Sequence, residues 1–241
     1  MLIAGMEGRM QVIVKLSFHL PTLYSYRVPD ASPGYAVSSP VASPLAIRLA
    51  LVDAAIRTSG SVEEGRRIFE LVKRASLWLV PPRRVCTVWA FLRRLKPSRE
   101  DGGLVPSTGV RQYCHPEGPL EVYLKVPERE GYEDVIKYAP FIRRLGASDS
   151  LAYVTAELVG EVPVHLVAKP VSDLKLLPGP GEGLMPPIKL KDLPDDASFS
   201  DINPYGQMRR GFRYRDEFWQ IPLKVIHRGG TWAVYERVGW A

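Results

Sequence analysis

The chain has 241 residues, 46% of them hydrophobic and 24% charged, and carries a net charge of +6. That hydrophobic share excludes a disordered chain and allows one large domain or two small ones, while the positive balance suits nucleic acid without requiring it. No apolar run is long enough to span a bilayer, and the segment Met1 to Met10 lacks the apolar core of a signal peptide, so no membrane is expected and the cytosol is the default location.

Met10 opens the first strand, which leaves residues 1–9 as a short arm or an over-long start. From Gln11 to Phe18 the sequence alternates, with Val12, Val14, Leu16 and Phe18 on one face, and predicts a strand. Pro21 to Pro40 is irregular and rich in Pro, Ser and Tyr. Within it Tyr24, Tyr26 and Arg27 read either as a contact region for a ligand or as a proline-rich loop packing its own aromatics. A helix follows. Ser43 can cap it, and Pro44 suits the first helical position because its missing N–H had no partner to lose. Leu45, Leu49, Val52 and Ile56 then recur at helical spacing up to Gly60. Arg48, on this apolar helix, reads as a partner of Asp53 or as a phosphate contact. Ser61-Val62-Glu63-Glu64 is a capping-box signal for a second helix with Ile68, Leu71, Val72 and Ala75 inward.

Val85 to Leu95 predicts the next strand, with Cys86 as a small core residue. Cys114 is the only other cysteine, no C-x-x-C spacing exists, and neither a metal nor a cofactor is expected. The strand ends in Arg93, Arg94 and Lys96. A glycine-rich segment from Asp101 to Gly109 follows, then Val110-Arg111-Gln112-Tyr113-Cys114-His115, then a strand from Leu120 to Val126. The expectation is two neighbouring strands joined by a long, flexible, basic excursion. Its Arg and Lys supply phosphate contacts and Tyr113 a stacking face, although an ordinary solvated hairpin loop has the same composition.

Tyr132 to Leu145 predicts a helix kinked at Pro140 and stopped by Gly146, where Arg143 and Arg144 suit the helix C-terminus. Tyr153 to Leu158 and Val162 to Val167 predict short strands around Gly160. Residues 170–207 change character: Pro178 to Gly183 and Pro186-Pro187 cannot form a regular element, so a long loop or wrapped segment is expected. Arg209, Arg210, Arg213 and Arg215 interleave with Phe212 and Tyr214, a cluster suited to RNA, an acidic partner or plain solvent. Phe218 to Ile226 and Thr231 to Val238 flank Arg228-Gly229-Gly230, predicting a hairpin whose glycines supply backbone freedom. Asn203 is the only asparagine among 22 prolines, a balance that points to a hot source organism.

The order strand, helix, helix, strand, strand, helix, strands predicts an α+β fold. We expect a ferredoxin-like (RRM-like) antiparallel sheet domain over residues 10–168 with a protruding β-hairpin. Residues 169–241 form a Pro/Gly-rich wrapped segment and a smaller β region.

Three blocks carry a family resemblance. The first is the opening strand with Ser38-Ser39-Pro40-Val41-Ala42-Ser43-Pro44-Leu45 leading into a helix. The second is Val110-Arg111-Gln112-Tyr113-Cys114-His115-Pro116 followed by Leu120-Glu121-Val122-Tyr123-Leu124. The third is Phe141-Ile142-Arg143-Arg144-Leu145-Gly146-Ala147-Ser148-Asp149-Ser150. Over residues 11–158 the chain resembles the RAMP superfamily of CRISPR-associated proteins, and within it the fifth Cas family as found in archaea. It departs from that family at Ile47-Arg48-Leu49-Ala50, where relatives often carry a glycine. The resemblance implies a thumb at about residues 97–119. It also implies a non-catalytic subunit that caps the 5′ handle of crRNA in a Cascade-type effector. The implied partners are crRNA, the backbone and large subunits, and target DNA in the assembled complex.

The residues expected to touch RNA are Arg111, Gln112 and Tyr113, which offer charge, hydrogen bonding and stacking together, with Arg94, Lys96, Tyr26, Arg27, Arg48 and Arg210. The alternative function is a metal-independent endoribonuclease processing precursor crRNA, with His19 and Tyr24 or Tyr26 as its general acid and base. Of the other histidines, His165 reads as a core residue in an apolar strand. A third reading is a protein-interaction domain whose basic surface meets an acidic partner.

Overall fold

The structure, a computed structural model, describes residues 12–32, 34–98, 102–126, 131–147, 150–174, 183–203 and 209–240. The expected strand start at Met10, the Asp101 end of the glycine-rich segment, Ser148-Asp149 and residues 178–182 lie outside them. The alternation of the first segment sets β1 (Ile13–His19), whose Val14, Leu16 and Phe18 are fully buried. It is hydrogen-bonded on one side to β5 (Leu120–Lys125) and on the other to β6 (Tyr153–Val159), while β2 (Ser76–Val80) pairs with the far edge of β5. Every pair is antiparallel and the order is β2-β5-β1-β6. Helices α1 (Pro44–Ser59) and α2 (Val62–Arg74) connect β1 to β2, and α3 (Gly131–Tyr138) connects β5 to β6. Two split β-α-β units are thus interleaved with their first strands central, which is the expected ferredoxin-like fold.

Local chemistry places these helices. The Ala46 N–H donates to Ser43 Oγ at 3.3 Å, Pro44 occupies the first turn, and Gly60 closes α1 at φ 68°. Ser61 caps α2 through the Glu64 N–H, but Glu64 does not return the bond; its carboxylate accepts from Arg67 and Tyr138 instead. α1 buries residues on most of its sides, because it packs against α2, against α3 and against the later segment Ile188–Asp192. Gly65 lets the two helices close up, since a Cβ there would sit 2.2 Å from the Ile56 side chain.

Most of the excursion expected at about 97–119 is one strand of a two-stranded arm. β3 (Arg84–Pro97) pairs with β4 (Leu104–Glu117) over 14 residues each, from Arg84↔Glu117 out to Pro97↔Leu104. The Leu120 strand therefore follows the arm and enters the other sheet. The arm is the middle of a five-stranded sheet, flanked by the hairpin β9 (Leu223–Arg228) and β10 (Trp232–Arg237) and by Tyr35–Ala36, which runs parallel to β4.

Other elements depart from expectation for identifiable reasons. Pro140 stops α3 at Tyr138 and opens a 3-10 turn, so no long kinked helix forms and Arg143 and Arg144 sit in a loop. Pro163 breaks the expected strand at 162–167 into turns, leaving His165 exposed rather than in the core. The segment 170–207 contains β7 (Ile188–Asp192), paired with β8 (Arg215–Gln220), and a short helix at Phe199–Ile202. Neither Gly229 nor Gly230 has a positive φ. Gly229 supplies room instead, since a Cβ there would lie 2.5 Å from the Trp232 indole nitrogen. One buried cluster runs from Val14 and Leu16 through Leu51, Phe69 and Leu145 to Leu190, Trp219 and Leu223.

Candidate nucleic-acid interface

A cleft of about 340 Å³ opens where α1 begins. Its walls come from five places in the chain: Ser25 to Pro29, the Ser39–Ser43 approach to α1, Arg111 on β4, Gly146 with Ala147, and Lys189 and Lys191 on β7. β7 alternates, so Leu190 enters the core while the lysines on either side face out. Lys189 is held by Asp30 and lies 5.2 Å from the centre of the Phe218 ring; Lys191 pairs with Asp216 at 3.2 Å. Arg27 is exposed at the rim. Ser25, also in the wall, is 5% exposed and its Oγ has no hydrogen-bond partner among the described residues. A buried hydroxyl without a partner costs about 1–3 kcal/mol, which a bound oxygen would relieve. Gly146 completes the wall at φ 76°, and a Cβ there would press on the Tyr26 ring at 3.2 Å. A second hollow of about 660 Å³ shares Ser43, Ala46 and Gly146 with the first and is lined by Arg57, Arg143 and Arg144.

The arm divides the residues that the sequence grouped. Side chains alternate across a strand, so Arg111 and Tyr113 share one face and Gln112 takes the other. Gln112 is engaged internally: its Oε1 accepts the Ser38 N–H at 3.1 Å and so fixes the strand beside the cleft. Arg94 and Lys96 are exposed on the Arg111 side. The opposite side carries Trp89, stacked on Tyr35 at 4.4 Å, and then, around the exposed Arg93, the apolar Phe91, Leu95 and Leu104, which are 69%, 62% and 64% exposed. Sequence reasoning read the arm as one basic finger and missed this apolar side, which the alternation Trp89, Phe91, Leu95 could have revealed.

A curated protein of Archaeoglobus fulgidus, CRISPR-associated protein Cas5, is 33% identical over 230 residues, covering 92% of this chain and 97% of that protein. The chain belongs to the Cas5 family. No family model matches it. Two solved structures are similar to this Cas5-family chain. One is a chain of the cryo-EM structure of the Type III-B Cmr-beta bound to cognate target RNA (13% identity, 62% of this chain and 61% of that one, TM-score 0.47). The other is the crystal structure of a CRISPR protein from Archaeoglobus fulgidus (12% identity, 94% of this chain and 100% of that one, TM-score 0.39).

Two residues expected at the interface of this Cas5-family chain are interior. Arg48 is buried; its guanidinium bonds both oxygens of Asp192, at 2.8 and 3.3 Å, and the carbonyls of Val72 and Ala75 at the end of α2. Asp53 pairs instead with Arg57. Tyr26 is 9% exposed and packs against Tyr24 with ring centres 4.7 Å apart, so the loop does pack its own aromatics. Tyr24 is fully buried and donates to the Pro40 carbonyl. Burial pushes its phenol well above the ordinary value and pushes the neighbouring Cys114 thiol up to about 12. The tyrosines named as cleavage partners of His19 are therefore turned inward. His19 stacks instead on Tyr153, at 4.5 Å and 4° between planes, a cross-strand pair the sequence did not suggest. The arginine cluster splits as well. Arg209 reaches Asp196 and Arg215 reaches Asp192, while Arg210 and Arg213 are exposed.

Proposed function

We propose that this chain is a non-catalytic, RNA-binding subunit that caps the 5′ handle of crRNA in a crRNA-guided effector complex. In this reading the cleft takes the leading nucleotides, and the apolar side of the arm docks a neighbouring backbone or large subunit. Target DNA is then a partner of the assembled complex. The observation that carries the reading is the convergence of Arg27, Arg111, Lys189 and Lys191 on one cleft with the unpartnered Ser25 hydroxyl, in a member of the Cas5 family. Fixed cations and a buried donor suit phosphate oxygens at fixed spacing, and the cleft opens beside the N-terminus of α1, the positive end of its dipole. Exposed apolar residues on the arm support a protein contact there.

Titrating a fluorescent handle-length RNA into the full chain over a series of salt concentrations tests this. Each phosphate contact removed should lower the salt slope by about 0.7, so Arg27→Ala with Arg111→Ala should flatten it by roughly 1.4 and weaken binding. Unchanged affinity and slope in a double variant with a wild-type melting curve would remove the cleft from RNA recognition. Incubating the protein with precursor RNA in EDTA should leave the RNA uncut; site-specific cleavage would overturn the non-catalytic part.

A further inference from the structure

We infer that the outer face of the five-stranded sheet is a second RNA surface, on which single-stranded RNA leaving the cleft stacks one base on Tyr113 and one on Trp232. The inference rests on the cleft holding RNA, as proposed above. Strand register supplies the geometry. Tyr113 on β4 lies opposite Val88 on β3, and Val88 lies opposite Trp232 on β10, so the three side chains form one row across three adjacent strands. Strands are about 4.8 Å apart, which sets the two aromatic residues roughly 10 Å apart with an aliphatic floor between them. Trp232 is 44% exposed, and its indole packs against Gly229, so an open ring is also a positioned one.

Charge says what fits this face. Residues two apart on a strand share a side, so Arg111 stands next to Tyr113, and Arg94 and Lys96 lie farther out on β3. Arg111 also lines the cleft, which makes Tyr113 the next side chain that a strand leaving the cleft meets. Among the described residues, the carboxylates on this face of the three strands, Glu117 and Glu236, sit at its other end and are held by Arg83 and Arg84. Aromatic faces with cations alongside suit unstacked bases and their phosphates. The reverse side of the arm sets Arg93 among the exposed Phe91, Leu95 and Leu104, and this mainly apolar surface suits protein.

The test uses the full chain and handle RNA carrying 5-bromouridine at successive positions, cross-linked by light and mapped by mass spectrometry, together with affinity measurements on three variants. Cross-links should appear on the peptides containing Tyr113 and Trp232. Tyr113→Ala and Trp232→Ala should each weaken binding about tenfold with the salt slope unchanged, because stacking releases no counterions, and Trp232→Phe should restore most of the loss. If both alanine variants bind as wild type while Arg27→Ala with Arg111→Ala still weakens binding, the platform is refuted and the cleft reading survives. Failure of the wild-type chain to bind RNA would overturn both. RNA affinity retained in Trp232→Ala, with a partner subunit released, would assign this face to protein and overturn the inference. Cross-linking needs no variant, so it decides the matter even if an alanine variant misfolds.

Discussion

The helix-covered side of the four-stranded sheet and the long arm treat charge in opposite ways. Under the helices, Arg48 has its donors taken up by Asp192 and by the last carbonyls of α2. On the arm, Arg94 and Lys96 are exposed and lie beside apolar side chains that are themselves exposed. The first region uses an arginine to close the molecule on itself; the second presents cations and apolar surface outward. A residue type alone does not tell these roles apart. Register and burial do.

The sharpest way to break that contrast is Asp192→Ala, which leaves the Arg48 guanidinium buried without its carboxylate. We expect a loss of about 3–5 kcal/mol in stability, read as a large fall in melting temperature, and recovery in a variant that also carries Arg48→Met. A melting curve close to wild type for Asp192→Ala would show the pair to be dispensable. Arg27→Ala with Arg111→Ala is the converse case: RNA affinity should fall by about tenfold or more at low salt, while stability stays within about 0.5 kcal/mol.

A smaller effect is expected from acid. Donation from Arg67, and then from the Tyr138 hydroxyl, holds the Glu64 carboxyl down at about 2 from an ordinary 4.5. Its contribution is therefore complete above pH 4.5 and is lost as the pH falls toward 2. Glu64→Gln should cost about 1 kcal/mol at pH 7, and the difference from wild type should shrink in denaturant titrations between pH 4.5 and pH 2. The smallest effect on folding belongs to Phe91→Ser, Leu95→Ser and Leu104→Ser combined. Stability should change by no more than about 0.5 kcal/mol, while sedimentation should show weaker assembly with other subunits. A substantial loss of stability would mean that the arm side is packed against the protein's own body.

What could be read from the sequence was local. Ser43-Pro44, Gly60 and Ser61 mark helix ends within a few residues, and the alternation of β1 needs no partner to be recognised. The arm was hidden because β4 contains Pro106 and Gly109, which read as breakers; its long partner β3 overrides them. At Gly109 the missing side chain lets the Gly34 carbonyl come within 3.4 Å of where a Cβ would be, beside the bond it accepts from Val110. Arg48 was paired with Asp53 because that carboxylate is near in sequence, whereas Asp192 is 144 residues away. Half of the cleft's charge comes from Lys189 and Lys191, within a stretch whose prolines suggested no strand. Trp232 gave no signal as a functional residue, since its row across three strands exists only once register is known.

The Arg48–Asp192 contact also orders events in time. A chain made from its N-terminus completes β1, both long helices and the arm before residue 192 appears. Until then the guanidinium under α2 has no carboxylate, so the first half should remain loose and open to water. A strand made late in synthesis thus acts as the latch that lets the earlier elements set. Cutting the chain ahead of β7 should therefore leave a swollen, protease-sensitive body, not a smaller native one.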